Sequence, residues 1–356
     1  MKRGITLSIE KSFFGKTSDG QDIYAFTITN SKNASLKIIN YGGTIVSINV
    51  PDKNGKLTDV ELGFDTVADY EKQTSYIGSI LGRNANRIKN ASFTYNGIEY
   101  KLTSNENGNQ LHGGINGFDR KVWRGGIAGD NTVEMTYESP DGEEGFCGNL
   151  NAKVIFSFDD SCRLKLTYEA ECDKDSVINL SQHCYFNLGG HDSGSIADHY
   201  IKLHSSYYTP CDAESIPTGE IYKVENTPMD LREYTKISTH LSGGHDEFKY
   251  TGGYDHNFII DNWDNSLKLA AELMDKKSGI VMKTYTTMPG IQFYIGNYLN
   301  YFGCGKNGAS YPKHSALCLE TQYYPNSANI KHFPSPFYKA GQRYSHTTVY
   351  EFSTAQ

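Results

Sequence analysis

The stretch of this chain best suited to proton transfer sets a histidine among small polar and aromatic side chains, Asn179-Leu-Ser-Gln-His-Cys-Tyr-Phe-Asn-Leu188. In an extended backbone alternate side chains point to opposite faces, so Leu180, Gln182, Cys184 and Phe186 share one face and Ser181, His183, Tyr185 and Asn187 the other. The first face is mostly apolar. The second lines up a hydroxyl, an imidazole, a phenol and an amide, which can grip a hydroxyl-rich molecule while the imidazole exchanges a proton near neutral pH. A strand whose polar side simply meets water reads the same way, so a partner from a distant segment has to decide.

Glu320 supplies that partner. In Ser315-Ala-Leu-Cys-Leu-Glu-Thr-Gln-Tyr-Tyr-Pro-Asn326 the apolar run Ala316 to Leu319 leads straight into Glu320, which sets a carboxylate at or near the end of a buried strand, where charge is costly. Burial raises a carboxyl pKa and a nearby imidazolium lowers it, so Glu320 with His183 makes an adjustable base and acid. Four further segments carry candidates. Gly82-Arg-Asn-Ala-Asn-Arg-Ile88 offers Asn86 and Arg87, the latter a fixed fork of donors for ligand oxygens or a developing oxyanion. Leu111-His-Gly-Gly114 places His112 before two glycines that allow a sharp turn. Gly252-Gly-Tyr-Asp-His256 puts Asp255 at the mouth of an apolar strand, placed to accept from vicinal hydroxyls, and Gln292 lies on the polar side of the strand after Pro289-Gly290. Each segment alone also has an ordinary structural use as a turn, cap or surface pair.

The elements that must hold these groups read as β-strands. Alternating and β-branched runs recur at Ile23 to Thr29, Thr44 to Val50, Val133 to Tyr137, Val154 to Phe158, Leu164 to Tyr168, Leu267 to Leu273 and Ile280 to Thr286. Turn signals separate them, and Asn96-Gly97 between Phe93 and Tyr100 predicts a hairpin with a type I′ turn. Helical pattern is confined to Val67 to Lys72 and Asp230 to Tyr234. No repeat, low-complexity block or linker marks a boundary, so residues 1–356 are expected to form one domain, a large all-β antiparallel sandwich.

Composition narrows the partners. A net charge of -7 without a basic cluster argues against nucleic acid and for a small or neutral ligand. No run approaches the roughly 18 apolar residues of a membrane span, and the stretch from Met1 to Glu10 lacks the continuous apolar region of a signal peptide. Seven cysteines with no C-x-x-C pair suit reduced thiols and a cytoplasmic setting. Asp141-Gly-Glu-Glu-Gly-Phe-Cys-Gly148 lacks calcium-loop spacing and reads as a structural loop near a pocket. No histidine pattern has metal-ligand spacing and no glycine motif implies a nucleotide, so neither metal nor cofactor is expected.

Taken together, Gly82-Arg-x-Ala-Asn-Arg-Ile88, Leu111-His-Gly-Gly114, Asp141-Gly-Glu-Glu-Gly145, Asn179-Leu-x-x-His-x-Tyr-Phe-Asn-Leu188, Tyr254-Asp-His256, Pro289-Gly-Ile-Gln-Phe-Tyr294 and Leu319-Glu-Thr-Gln322 resemble the aldose 1-epimerase family, in the same order and over nearly the whole chain. The resemblance implies a β-sandwich with an open, cofactor-free sugar site, acting on a small-molecule aldose as monomer or homodimer. It implies that Glu320 is the general base and His183 the general acid. It further implies that Asn86, Arg87, His112, Tyr185, Asp255 and Gln292 contact sugar hydroxyls or the ring oxygen. Cys147, Gln182 and Asn326 depart from the family pattern, with Gln182 and Cys147 expected at the pocket rim. Two rivals remain at this stage: a glycoside hydrolase using Asp255 and Glu320 as its carboxylates, and a sugar-binding module without catalysis.

Overall fold

The computed structural model describes residues 7–355; the segment Met1–Thr6, part of the stretch read above for a signal peptide, lies outside them. Every ladder between its strands is antiparallel. The largest sheet has nine strands, in the order Arg124–Gly129, Thr132–Ser139, Leu150–Phe158, Arg163–Cys172, Tyr344–Thr354, Ile280–Thr286, Lys268–Met274, Tyr200–Leu203 and Thr235–Lys236. Period-two patterning makes it one-sided: along Leu150–Phe158 the residues Leu150, Ala152, Val154, Phe156 and Phe158 are buried, while those between them are less so. The final strand, Tyr344–Thr354, sits in the middle of this sheet between Arg163–Cys172 and Ile280–Thr286, so distant parts of the chain close it.

Two five-stranded sheets complete the framework. One spans the N-terminal strands from Ser8–Lys16 to Leu57–Asp59; the other runs Tyr222–Lys223, Tyr207–Thr209, Asp255–Ile259, Gly290–Tyr294, Cys318–Gln322. The second packs on the nine-stranded sheet through Phe258, Ile291, Phe293 and Leu319, which share one core with Val154, Phe156 and Leu166. Hydrogen bonds stitch the layers: Tyr350 Oη donates to the Leu319 carbonyl at 2.9 Å, and the Thr321 and Thr348 hydroxyls meet at 2.5 Å. Because Leu319 and Thr321 face the large sheet, alternation turns Cys318, Glu320 and Gln322 to the other side.

The strands expected from patterning are present. So is the hairpin, with Tyr95 paired to Ile98 and φ of 51° at Asn96 and 79° at Gly97, the double positive φ that a type I′ turn needs. The Val67–Lys72 helix forms, its first turn capped by Thr66 Oγ1 accepting from the Asp69 amide. Asp230 to Tyr234 does not become helical: the Asp230 carboxylate takes the Arg232 guanidinium and amide, closing a local bend instead, and a second α-helix among the described residues is Asp246–Thr251. No disulfide joins any of the seven cysteines, and among the described residues no helix is long and apolar enough to cross a membrane.

Candidate active site

Strand order brings the chemistry together. Asp255 opens strand Asp255–Ile259, Gln292 lies at the centre of Gly290–Tyr294, and Glu320 is the middle residue of Cys318–Gln322, directly opposite Gln292 in the ladder. Glu320 is therefore not at a strand end, as its polar followers suggested. The strand continues because Thr321 bonds the large sheet through its hydroxyl and accepts from Ser181 Oγ at its carbonyl, and Gln322 donates to Gln292. The His183 stretch also differs from expectation: only Ser181–Gln182 is strand, paired to Ile80–Leu81, and both of its faces are buried. Its apolar side enters the core through Leu180, Cys184 and Phe186, as alternation predicted.

His183, Tyr185 and Glu320 line a cavity of about 230 Å³, joined by Asn86, Arg87, His112 and Asp255. That is small beside the ~300–1,000 Å³ usual for ligand pockets and suits a compact, polar molecule. A larger hollow of about 660 Å³ lies on the nine-stranded sheet, where Lys153 pairs with Glu169 at 2.8 Å and Arg343 with the same carboxylate. The smaller cavity is the candidate because its buried acid and imidazole face open space.

His183 Nε2 stands 3.8 Å from Glu320 Oε1, both side chains almost fully buried, and Glu320 Oε2 has no partner among the described residues. Tyr185 stacks on the imidazole at 4.9 Å between ring centres and His112 meets it edge-on at 5.2 Å. His112 is held by a reciprocal pair of bonds with Asn86: its amide donates to the Asn86 carbonyl at 3.1 Å, and the Asn86 amide donates to Nδ1 at 3.0 Å. Both residues have positive φ, 60° and 52°, a strained conformation held by those bonds. The glycine after His112 is obligatory, since a Cβ on Gly113 would lie 1.8 Å from the Gly82 carbonyl oxygen. The acidic loop then clasps this turn from outside, Glu144 accepting from the Ile115 and Asn116 amides at 3.0 Å each.

Arg87 reaches the cavity with its fork gripped by Glu106, at 2.6 Å from Nε and 2.9 Å from Nη2. Arg83, four residues earlier, is buried in structural bonds to Ser139, Pro140, Cys147 and Gly148. Gln292 stands behind the wall and donates to Asp255 Oδ1 at 2.7 Å, fixing that carboxylate. Neither departure expected at the rim lies there. Gln182 donates inward to the Gly43 and Gly78 carbonyls, and the Cys147 thiol turns to the Asp175 carbonyl, because each found a buried main-chain acceptor. Residues that sequence reasoning missed include Tyr76, Glu106 and Tyr298 at the cavity wall; Tyr294 also lines it, and its alternation with Gln292 was the available signal.

Burial dominates the electrostatics. It pushes the Glu320 carboxyl well above its ordinary value, with Asp255 adding to the rise and Arg87 opposing it. It pushes His183 down to about 3 and His112 well below its usual range, the latter with help from His183 and Arg87. Burial works against the Arg87 charge as well, but Asp255 and Glu106 outweigh it and keep the guanidinium protonated. Ligand atoms of His112, His183 and Glu320 fall within 4.8 Å of one another, a set able in principle to hold a divalent metal. The Asn86 amide argues otherwise: with Nδ1 of His112 accepting, the neutral ring carries its proton on Nε2 and offers the cavity a donor, not a metal-binding lone pair.

A family model described as Aldose 1-epimerase matches residues 24–351. The chain is 40% identical to the galactose mutarotase of Bos taurus over 349 residues, covering 98% of this chain and all of that one. It is 33% identical to the aldose 1-epimerase of Escherichia coli K12, over 94% of this chain and 96% of that one. Among solved structures it resembles a GalM/aldose epimerase homologue from C. elegans, with 27% identity, a TM-score of 0.85 and coverage of 98% and 100%. The fold is likewise that of a galactose 1-epimerase from Lactobacillus acidophilus, at 24% identity and a TM-score of 0.86, over 99% and 100% of the two chains.

Proposed function

Because the chain belongs to the aldose 1-epimerase family, we propose that it interconverts the α and β anomers of free aldohexoses such as galactose and glucose by opening and reclosing the sugar ring. The observation that carries this reading is the buried acid–imidazole pair, Glu320 and His183, facing each other at 3.8 Å across a small cavity walled by hydrogen-bonding groups. A cyclic aldose is a hemiacetal. Changing its anomer needs the proton of the C1 hydroxyl removed and the ring oxygen protonated, followed by rotation about C1–C2 and closure on the other face.

Glu320 takes the hydroxyl proton and His183 delivers one to the ring oxygen, with roles exchanged on closure; each positioned group supplies roughly 10²- to 10⁴-fold. Burial favours the proton on Glu320 and a neutral His183. That is also the state the pair reaches once the ring has opened. Proton removal from the C1 hydroxyl uses the Glu320 anion, and the Arg87 cation favours that form. His112 Nε2–H and Arg87 are donors for oxygens that gain negative character as the ring opens. Asn86, Tyr185 and the Gln292-braced Asp255 hold the remaining hydroxyls.

The shared core and the span 24–351 support treating the chain as one catalytic domain, and seven cysteines outside any disulfide support a reducing, cytoplasmic setting. The test is polarimetry of freshly dissolved α-D-galactose and α-D-glucose. Wild type should speed relaxation to the anomeric equilibrium, and Glu320→Gln should fold yet not speed it. Sugar binding without acceleration by wild type would make the protein a binding module; release of reducing sugar from a glycoside would make it a hydrolase.

A further inference from the structure

Cys318 stands two residues before Glu320 in strand Cys318–Gln322, so the two side chains leave the strand on one face. Its Sγ lies 3.4 Å from His183 Nδ1, while Glu320 Oε1 lies 3.8 Å from Nε2. A single strand thus brackets the imidazole at both nitrogens. The ring plane is fixed separately by two nearly parallel tyrosines, Tyr185 at 4.9 Å and 16° and Tyr76 at 5.9 Å and 18°. What stacking leaves open is which nitrogen carries the proton.

We propose that Cys318 is a positioning residue for His183, its sulfur accepting a hydrogen bond from Nδ1–H so that the neutral ring keeps that proton and turns the Nε2 lone pair toward Glu320 and the cavity. This rests on the acid–base reading above. A ring that gives and takes its working proton at Nε2 has to hold the other on Nδ1 throughout, because losing Nε2–H from the opposite tautomer would leave an imidazolate. The chemistry of a buried thiol fits the task. Burial, with Glu320 and Glu61 nearby, keeps Cys318 protonated, so it adds no negative charge to the acid–base pair. A thiol is a weak donor and its sulfur a weak acceptor, so it can meet either form of Nδ1, and the working proton at Nε2 selects Nδ1–H. A bond to its own backbone partly offsets the effect of burial on His183.

The experiment is ¹⁵N–¹H correlation spectroscopy of the ring nitrogens in histidine-labelled protein, with polarimetric kinetics on the same samples. Wild type should show neutral His183 protonated on Nδ1. Cys318→Ala should let the Nε2–H tautomer appear and lower kcat by roughly fivefold to tenfold at unchanged KM, the scale of one hydrogen bond. Cys318→Ser, whose hydroxyl oxygen can accept at the same place, should restore the Nδ1–H tautomer and most of kcat. A wild type protonated on Nε2, or a Cys318→Ala protein with wild-type tautomer and turnover, overturns the proposal. Should Cys318→Ala fail to fold, the wild-type spectrum decides alone. A wild type that leaves anomer exchange unaccelerated overturns the catalytic reading, while the spectrum still decides the hydrogen bond.

Discussion

His183 and His346 are each 4% exposed, and burial pushes both down to about 3. Each is stacked on a tyrosine, His183 on Tyr185 and His346 on Tyr168 at 4.2 Å and 8°. Yet His346 sits on strand Tyr344–Thr354 at the heart of the nine-stranded sheet, paired across the ladder with Tyr168, and neither of its ring nitrogens has a partner among the described residues. His183 differs in what it faces: a carboxylate within 3.8 Å and a cavity able to admit a ligand. A depressed histidine pKa therefore reports burial, and becomes a sign of function only when an acid–base partner and open space accompany it.

The sharpest way to break this comparison is to remove each imidazole in turn. His183→Asn should fold and lose roughly 10²- to 10⁴-fold in kcat, whereas His346→Phe should retain wild-type turnover; polarimetry on both measures it. Near-normal turnover in His183→Asn would put the two histidines in the same class and remove the acid from the mechanism. A smaller effect is expected one step back from the chemistry. Glu106→Gln loosens the Arg87 fork without touching the acid–base pair, so it should lower kcat/KM by about tenfold, the loss of one charge-assisted hydrogen bond. A loss as large as that of His183→Asn would put the Arg87 donor on a par with the acid–base pair itself.

The same contrast shows what the sequence could and could not reveal. Strands were legible because one face of the large sheet meets the core, writing a period of two into runs such as Leu150–Phe158. His183 and Glu320 were legible because a titratable group at a core-like position is costly without a use. Their meeting could not be read from pattern. It depends on Gln292 lying opposite Glu320 in one ladder, and on Ser181 bonding the Thr321 carbonyl, across about 140 residues of sequence in the second case. Glu106 left no trace at all, being one acid in a polar turn, and its role is set by where the Arg87 side chain emerges. Gln182 misled in the opposite sense, since a polar residue beside His183 suggested the rim and instead satisfies two buried carbonyls.

The least conspicuous prediction concerns stability, and it tests the His346 half of the comparison. Its folded-state value of about 3 lies below the value of about 6.5 expected for the unfolded chain. Between those limits the unfolded state binds a proton that the folded state refuses, so this group's contribution falls as pH drops below about 6.5, by roughly 1 kcal/mol per pH unit, until about pH 3. Phenylalanine keeps the stacked shape against Tyr168 and removes two unpartnered nitrogens, so His346→Phe should be more stable by about 1 kcal/mol at pH 7. The advantage should widen by roughly 2 kcal/mol on going to pH 5, because the variant no longer carries the proton linkage. Denaturant midpoints of both proteins at the two pH values measure it. Parallel curves would mean that His346 finds a partner for its charged form, and would dissolve the distinction between a histidine that is merely buried and one that is placed to react.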